Sequence, residues 1–431
     1  MSERKQFGFE TRMVHAGHIP DSEVGARAVP IYQTTSYVFP DTRYAAQLFE
    51  LKQYGNIYSR INNPTTAVFE ERIASLENGT GAVAVASGMA AQFVTFMTLL
   101  QPGDEIVSSA HLYGGTVTQF TNTFKKLSVK VTLVEPGDIA NWERAITPNT
   151  KALYGETIGN PRGSILDLEK LAKLADSHHI PLIIDNTFAT PYLCRPIDWG
   201  ASTIVHSATK FLGGHGTSIG GVVIDSGLFN YGRFPTIADP SPSYHGLRFF
   251  DTFGHYGFLT KVRAETVRDT GASISPINAF LLILGLETLS VRMDRHVANA
   301  MAIATYLRDH PKVAQVHYAG LPDHPDYQLA KKYLSKGPGA IFSFELKSGS
   351  GDARENGRRF IESLQLFSHL ANVGDVHSLV IHPASTTHQQ LTDEELSLCG
   401  VTPSTIRLSI GLETTEDLLW DLEQALHAAF A

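Results

Sequence analysis

The stretch STIVHSATKFLGGHGTSIGG (202–221) sets one lysine, Lys210, between hydroxyl residues and a group of glycines. STIVHS is a short apolar run of the kind that forms a buried strand, and glycines after such a run mark turns or close backbone approaches. Upstream, IPLIIDNT (180–187) has the same character and ends in Asp185, 25 residues before Lys210. In open α/β sheets, ligand sites gather at the carboxyl ends of the strands. A lone strand-end aspartate is as easily an N-cap or turn residue. Two successive buried strands delivering Asp185, Ser207, Thr209 and Lys210 to one edge make a site the better reading.

The same punctuation extends both ways. GAVAVAS, DEIVSSA, KVTLVEP, TKALYGET and GGVVIDS are further strand candidates, separated by helical or loop segments. Their alternation predicts an α/β fold with a mostly parallel central sheet. The uncharged run AVAVASGMAAQFVTFMTLL (82–100) approaches the length of a membrane span. It is read instead as a strand, a Ser87-Gly88 turn and a helix ended by Pro102-Gly103. A helical segment over 277–310 leads to GAIFSFEL (339–346), SLVIHPAS (378–385), TIRLSIGL (405–412) and a closing helix over 415–430. The expected organisation is an irregular arm over 1–65, a large domain over 66–285 and a smaller α+β domain over 286–431.

The chain has 431 residues, 43% hydrophobic and 18% charged, with a net charge of −8, which bounds a globular protein of more than one unit. The absence of any block of like charge argues against nucleic-acid and membrane-surface partners and for small molecules and other protein chains. The two cysteines, Cys194 and Cys399, lie far apart without metal-ligand spacing and are read as buried apolar residues in a reducing compartment. Residues 1–17 lack the apolar core of a signal peptide, so the expected location is the cytoplasm. His377, His382 and His388 fit no familiar ligand spacing and are read as hydrogen-bonded histidines, so no metal is expected.

A lysine, a carboxylate, hydroxyls and glycines on one sheet edge suit pyridoxal 5'-phosphate. Its aldehyde takes a lysine amine, and its ring nitrogen withdraws electrons well only when protonated, which a nearby carboxylate favours. Lys210 and Asp185 fit these needs. The phosphate needs donors, which Gly88 and Met89 at a helix start would supply, with Ser207 and Thr209 adding hydroxyls.

YSRINNPT (58–65), ASGMAA (86–91), YGGT (113–116), GNP (159–161), IIDNT (183–187), HSATKFLGGH (206–215) and RLSIGLE (407–413) resemble, in order and over almost the whole chain, the signatures of the cysteine/methionine-metabolism family of pyridoxal-phosphate enzymes, fold type I. The resemblance implies Lys210 as the cofactor-bonded lysine and Asp185 as the partner of the ring nitrogen. It implies Tyr113 stacked on the ring and able to carry a proton at the leaving group, and Asn160 beside the ring hydroxyl. Tyr58 and Arg60 would reach a neighbouring subunit's phosphate, with Tyr58 also near its substrate. Arg407 would clamp the substrate carboxylate, and Ser378 would line the amino-acid pocket. A homo-oligomer follows, with a dimer as the minimum active unit and a tetramer as the expected assembly.

Within the family, lyases commonly carry proline where this chain has Ile158 in ETIGNP. ETIGNP, LYGGT and the aromatic insertion over 229–258 resemble the sulfhydrylase branch that acts on O-acetylhomoserine. The implied reaction is γ-replacement, in which sulfide or a thiol takes the place of acetate to give homocysteine or methionine. The insertion is long enough to cover the site or to form a subunit contact. A methionine γ-lyase or a cystathionine-type enzyme would use the same residues, and a silent scaffold on this fold is the non-enzyme alternative.

Overall fold

A computed structural model describes residues 7–347, 353–386 and 401–430. Seven of the apolar runs form one sheet: β1 Gly81–Val85, β2 Glu105–Ser109, β3 Lys130–Val134, β4 Thr150–Glu156, β5 Leu182–Asp185, β6 Thr203–Ser207 and β7 Gly221–Asp225. Their order is β1-β7-β6-β5-β4-β2-β3, with β7 alone antiparallel to its neighbours. The runs are continuously apolar because both faces are covered. Ile183, Val205 and Val223 enter one core cluster, and Ile184, Ile204, Val222 and Ile224 enter the other.

The run 82–100 divides as expected into β1 and the helix Gly88–Leu99, capped by Ser87, whose Oγ accepts the Ala90 N–H at 3.1 Å. Among the described residues, no single helix is long and apolar enough to cross a membrane. The segment read as one helix over 277–310 is two, Pro276–Leu286 and Leu289–Asp309, bent by 63°. Their inner faces are buried in the core.

A second sheet follows, built from β8 Val313–His317, β9 Ile341–Leu346, β10 Ser368–His369, β11 Leu379–Ile381 and β12 Thr405–Ser409, in the order β10-β11-β12-β9-β8. The helices Ala353–Ser363 and Thr415–Ala429 pack against one another beside it. Hydrogen bonds from His296 Nδ1 to Ile410 O at 2.7 Å, and from Asn299 to Gly411 O at 3.1 Å, tie this sheet to the long helix.

Residues 7–63 are irregular apart from the short helices Phe9–His15 and Thr42–Phe49. Ile31, Tyr32, Val38, Tyr54 and Tyr58 stand exposed there. The insertion does not cover the site within this chain. Tyr231, Phe234, Ile237, Phe249 and Phe258 are buried with Val94, Phe96 and Leu99 of the 88–99 helix, so apolar burial holds the insertion against that helix. Cys194 is buried as expected, and Cys399 and His388 lie outside the described residues.

Candidate active site

The carboxyl ends of β4, β5 and β6, the start of the 88–99 helix and a loop over 371–373 enclose a cavity of about 280 Å³. Asp185, Ser207, Thr209, Lys210, Gly88, Met89, Tyr113, Asn160 and Arg407 all line it. The glycines make this closeness possible. A Cβ on Gly88 would stand 2.6 Å from Ser207 Cβ, and one on Gly221 would stand 2.0 Å from Ser87 O. Only glycine lets the helix start sit directly on the end of β6.

Lys210 lies on the turn after β6, held by Lys210 N–H to Ser207 O at 3.2 Å and Gly214 N–H to Lys210 O at 2.7 Å. Its Nζ donates to Asn372 Oδ1. Burial, aided by the positive charge of Arg407, lowers its pKa to about 8. Asn372 arrives there because Gly374, at φ +74°, brings its loop against the backbone of Phe211.

Asp185 ends β5 and accepts the Thr187 N–H at 2.9 Å. Burial raises its pKa, against the pull of Thr187 and His206. A positive group placed beside it would relieve that cost. Thr187 Oγ1 in turn accepts the Ser207 N–H at 2.8 Å, joining the ends of β5 and β6. Thr209 Oγ1 donates to Gly220 O at 3.2 Å, and Gly220 N–H returns a bond to Thr209 Oγ1 at 3.1 Å.

From the second sheet, Arg407 on β12 points its buried guanidinium into the same cavity, with Nη1 at 3.4 Å from Asn160 Oδ1 and Nη2 at 3.4 Å from the Asn372 carbonyl. Burial lowers its pKa to about 10. A buried guanidinium bonded only to neutral oxygens is a receptor for an anion such as a carboxylate. Tyr113 stands half exposed at the mouth, its backbone N–H donating to Glu156 Oε1 at 2.6 Å.

Three expected site residues lie elsewhere in the chain. Ser378 is buried but does not reach the cavity wall: its Oγ donates to Glu413 Oε2 at 2.8 Å and accepts the Gly411 N–H at 2.9 Å, which engages the hydroxyl in turn formation. Tyr58 and Arg60 line a separate groove with Gln33, Thr34 and Ser273. There Arg60 donates to Arg268 O and lies 5.4 Å from the Tyr58 ring centroid. Among the described residues, no cluster of histidine, cysteine and carboxylate side chains could hold a metal. His382 is bonded to Ser385 Oγ at 2.7 Å and Pro403 O at 2.8 Å, and His377 to Asp375 at 2.8 Å.

The cavity wall also includes Gln92, Glu156, Thr187, Phe188 and Asn372, which sequence reasoning had not singled out. The strand-end argument that raised Asp185 applies equally to Glu156 and could have found it. Nothing local marks Asn372.

The donor set suits pyridoxal phosphate. It offers one amine of depressed basicity, one buried carboxylate that calls for a cationic partner, a capped helix start with two hydroxyls near it, and a buried guanidinium opposite.

Comparison with known proteins agrees. O-acetyl-L-homoserine sulfhydrylase of Leptospira meyeri is 49% identical over 98% of this chain and 97% of its own length. Homocysteine synthase of Schizosaccharomyces pombe is 49% identical over 98% of each chain. The crystal structure of a Campylobacter jejuni protein assigned as an O-acetylhomoserine (thiol)-lyase, which holds a pyridoxyl-lysine phosphate, superposes with a TM-score of 0.94 at 42% identity, covering 98% of this chain and 100% of that one. Cystathionine γ-lyase of Lactobacillus plantarum, solved with L-serine, gives a TM-score of 0.84 at 35% identity, covering 98% and 99%. The fold is therefore fold type I of the pyridoxal-phosphate enzymes. The family described as Cys/Met metabolism PLP-dependent enzyme matches residues 10–427, and this chain belongs to it.

Proposed function

We propose that this enzyme catalyses γ-replacement on O-acetylhomoserine, with sulfide displacing acetate to give homocysteine. The observation that carries this reading is the convergence of Lys210 and Arg407, from different sheets, on one cavity in a chain similar along its whole length to named sulfhydrylases. In this reading Lys210 Nζ holds the cofactor aldehyde, Asp185 faces the ring nitrogen, and Tyr113 and Asn160 flank the ring. Gly88, Met89, Ser207 and Thr209 take the phosphate, and Tyr58 and Arg60 of a neighbouring chain complete that pocket. Pyridoxal phosphate, when bound, supplies an electron sink conjugated to the substrate's amino nitrogen.

The chain's own residues do the rest. Arg407 grips the substrate carboxylate in paired, charge-assisted hydrogen bonds and so fixes where Cα lies. Once the substrate's amino group has taken its place, the freed Lys210 amine, whose basicity burial lowers, can take the Cα proton and return it. Moving a proton at Cβ readies the bond at Cγ to break, and the Tyr113 hydroxyl serves the departing acetate there. The overall balance is one O-acetylhomoserine and one hydrogen sulfide to one homocysteine and one acetic acid.

Three coarser features accompany this reading. The units 1–65, 66–285 and 286–431 act as arm, cofactor domain and small domain. The enzyme works as a homotetramer built from two dimers, each dimer sharing residues across its two sites, and it acts in the cytoplasm. The exposed apolar side chains of the arm support a subunit contact.

The test is product analysis on the purified holoenzyme. O-acetylhomoserine with sulfide is expected to give homocysteine and acetate in equal amounts, faster than methionine or cystathionine releases 2-oxobutanoate. Faster elimination from methionine or cystathionine would make this a lyase and overturn the proposal.

A further inference from the structure

Glu156 is the last residue of β4, and in the parallel register it stands beside Asp185, the last residue of β5. It is buried and lines the cavity that holds Lys210. A carboxyl group in such a place is costly unless its oxygens are hydrogen-bonded. The Tyr113 N–H meets that need at 2.6 Å, and the Asn160 backbone lies close enough to favour the ionised carboxyl as well.

Those donors belong to different connections. Tyr113 follows β2, at the start of the short helix Gly114–Thr118, and Asn160 lies on the loop after β4. Tyr113 is half exposed, with its ring lying over Gly115. One buried side chain on the rigid sheet thus anchors the backbone of both residues read above as flanking the cofactor ring. A second polar tie joins these connections, between His111 Nδ1 and Ser164 Oγ at 2.9 Å.

We propose that Glu156 is a positioning residue, which holds the Tyr113 and Asn160 backbones at the spacing a flat ring requires, an inference that rests on reading the cavity as the cofactor site. Burial and the neighbouring Asp185 push Glu156 toward its neutral form, while the two backbone donors oppose this. Either form presents an oxygen acceptor to the Tyr113 amide, so glutamine reproduces that bond better than aspartate, which keeps the charge but withdraws the carboxyl.

The test compares Glu156→Gln, Glu156→Asp and Glu156→Ala with the parent holoenzyme, per bound pyridoxal phosphate. The readouts are kcat, KM for O-acetylhomoserine, the visible circular dichroism of the bound cofactor, and Tm. A small displacement of a positioning group costs on the order of 10²-fold in rate. Glu156→Ala is expected to lose kcat by about that factor and Glu156→Asp by roughly 10-fold or more, both with an altered dichroic band. KM should move less, because Arg407 keeps its place on β12 and its bond to the Asn372 carbonyl. Glu156→Gln should recover most of the loss.

If Glu156→Ala or Glu156→Asp keeps the parental kcat and dichroic band per bound cofactor while only Tm falls, Glu156 is structural and the proposal fails. A Glu156→Gln variant as impaired as Glu156→Asp also overturns it, because acceptance of the Tyr113 amide would not be the role. Should Glu156→Ala not fold, Glu156→Asp and Glu156→Gln decide between these outcomes. A parent that binds no pyridoxal phosphate would sink the reading of the cavity itself. A parent that binds it beside indifferent variants would sink the Glu156 role alone.

Discussion

Lys210 and Arg407 meet at one residue: Lys210 Nζ donates to the side chain of Asn372, and Arg407 Nη2 donates to its carbonyl at 3.4 Å. One loop from the second sheet thus sets the distance between Lys210 and Arg407. Their charges are felt across that distance, because Arg407 contributes to the depressed basicity of Lys210.

Removing Arg407 should therefore do two things. In Arg407→Met, loss of the charge-assisted clamp is expected to cost about 2–5 kcal/mol of transition-state binding, seen as a fall in kcat/KM of roughly 30-fold to several thousand-fold. In the apoenzyme, the Lys210 pKa should rise, as followed by the pH dependence of its acylation in a mass-mapped peptide. An unchanged KM and an unchanged lysine titration would remove Arg407 from the site.

The lowered basicity of Lys210 is also a statement about stability. Its folded pKa of about 8 lies below the ordinary 10.5, so the unfolded chain binds the extra proton more readily. The penalty is fully present below about pH 8, shrinks as pH rises through the window to 10.5, and vanishes above it. Apo Lys210→Met should unfold at higher denaturant than the apo parent at pH 7, by roughly 1–3 kcal/mol. The difference should narrow between pH 8 and 10.5. A difference independent of pH would mean that the cationic lysine is not strained there.

Arg60 and Lys210 lie in separate cavities of one chain. If the neighbour supplies Tyr58 and Arg60, Arg60→Ala and Lys210→Ala chains should each be nearly inactive alone and regain activity on mixing. A hybrid dimer has one site with both residues intact and one with neither, so up to about a quarter of parental activity is the ceiling in a random equal mixture. No recovery, with exchange of chains shown by native mass spectrometry, would mean that each chain completes its own site.

The large sheet was legible because each of its strands is a continuous apolar run closed by a turn, as in LIID and TIVHS. The small sheet was less so. β8, VAQVH, turns Ala314 and Gln315 outward at an edge and shows no apolar run, while β10 is two exposed residues long. The break near Glu287 escaped notice because its cause is distant. Gly285 passes against the Leu212 and Gly213 backbone on the Lys210 turn, and Arg292 reaches back to bond Gly285 O at 2.7 Å and Phe211 O at 2.8 Å. Lys210, Asp185 and Arg407 could be read from strand ends and motif spacing. Asn372 could not, since only the folding of the second sheet onto the first brings it to Lys210.

The central claim is that the chemistry turns on Lys210, and borohydride reduction of the holoenzyme followed by peptide mass mapping tests it most directly. The account predicts a stable pyridoxyl-phosphate adduct on the peptide bearing Lys210, none in Lys210→Ala, and loss of homocysteine formation in that variant. An adduct on another lysine, or sustained turnover by Lys210→Ala, would contradict it.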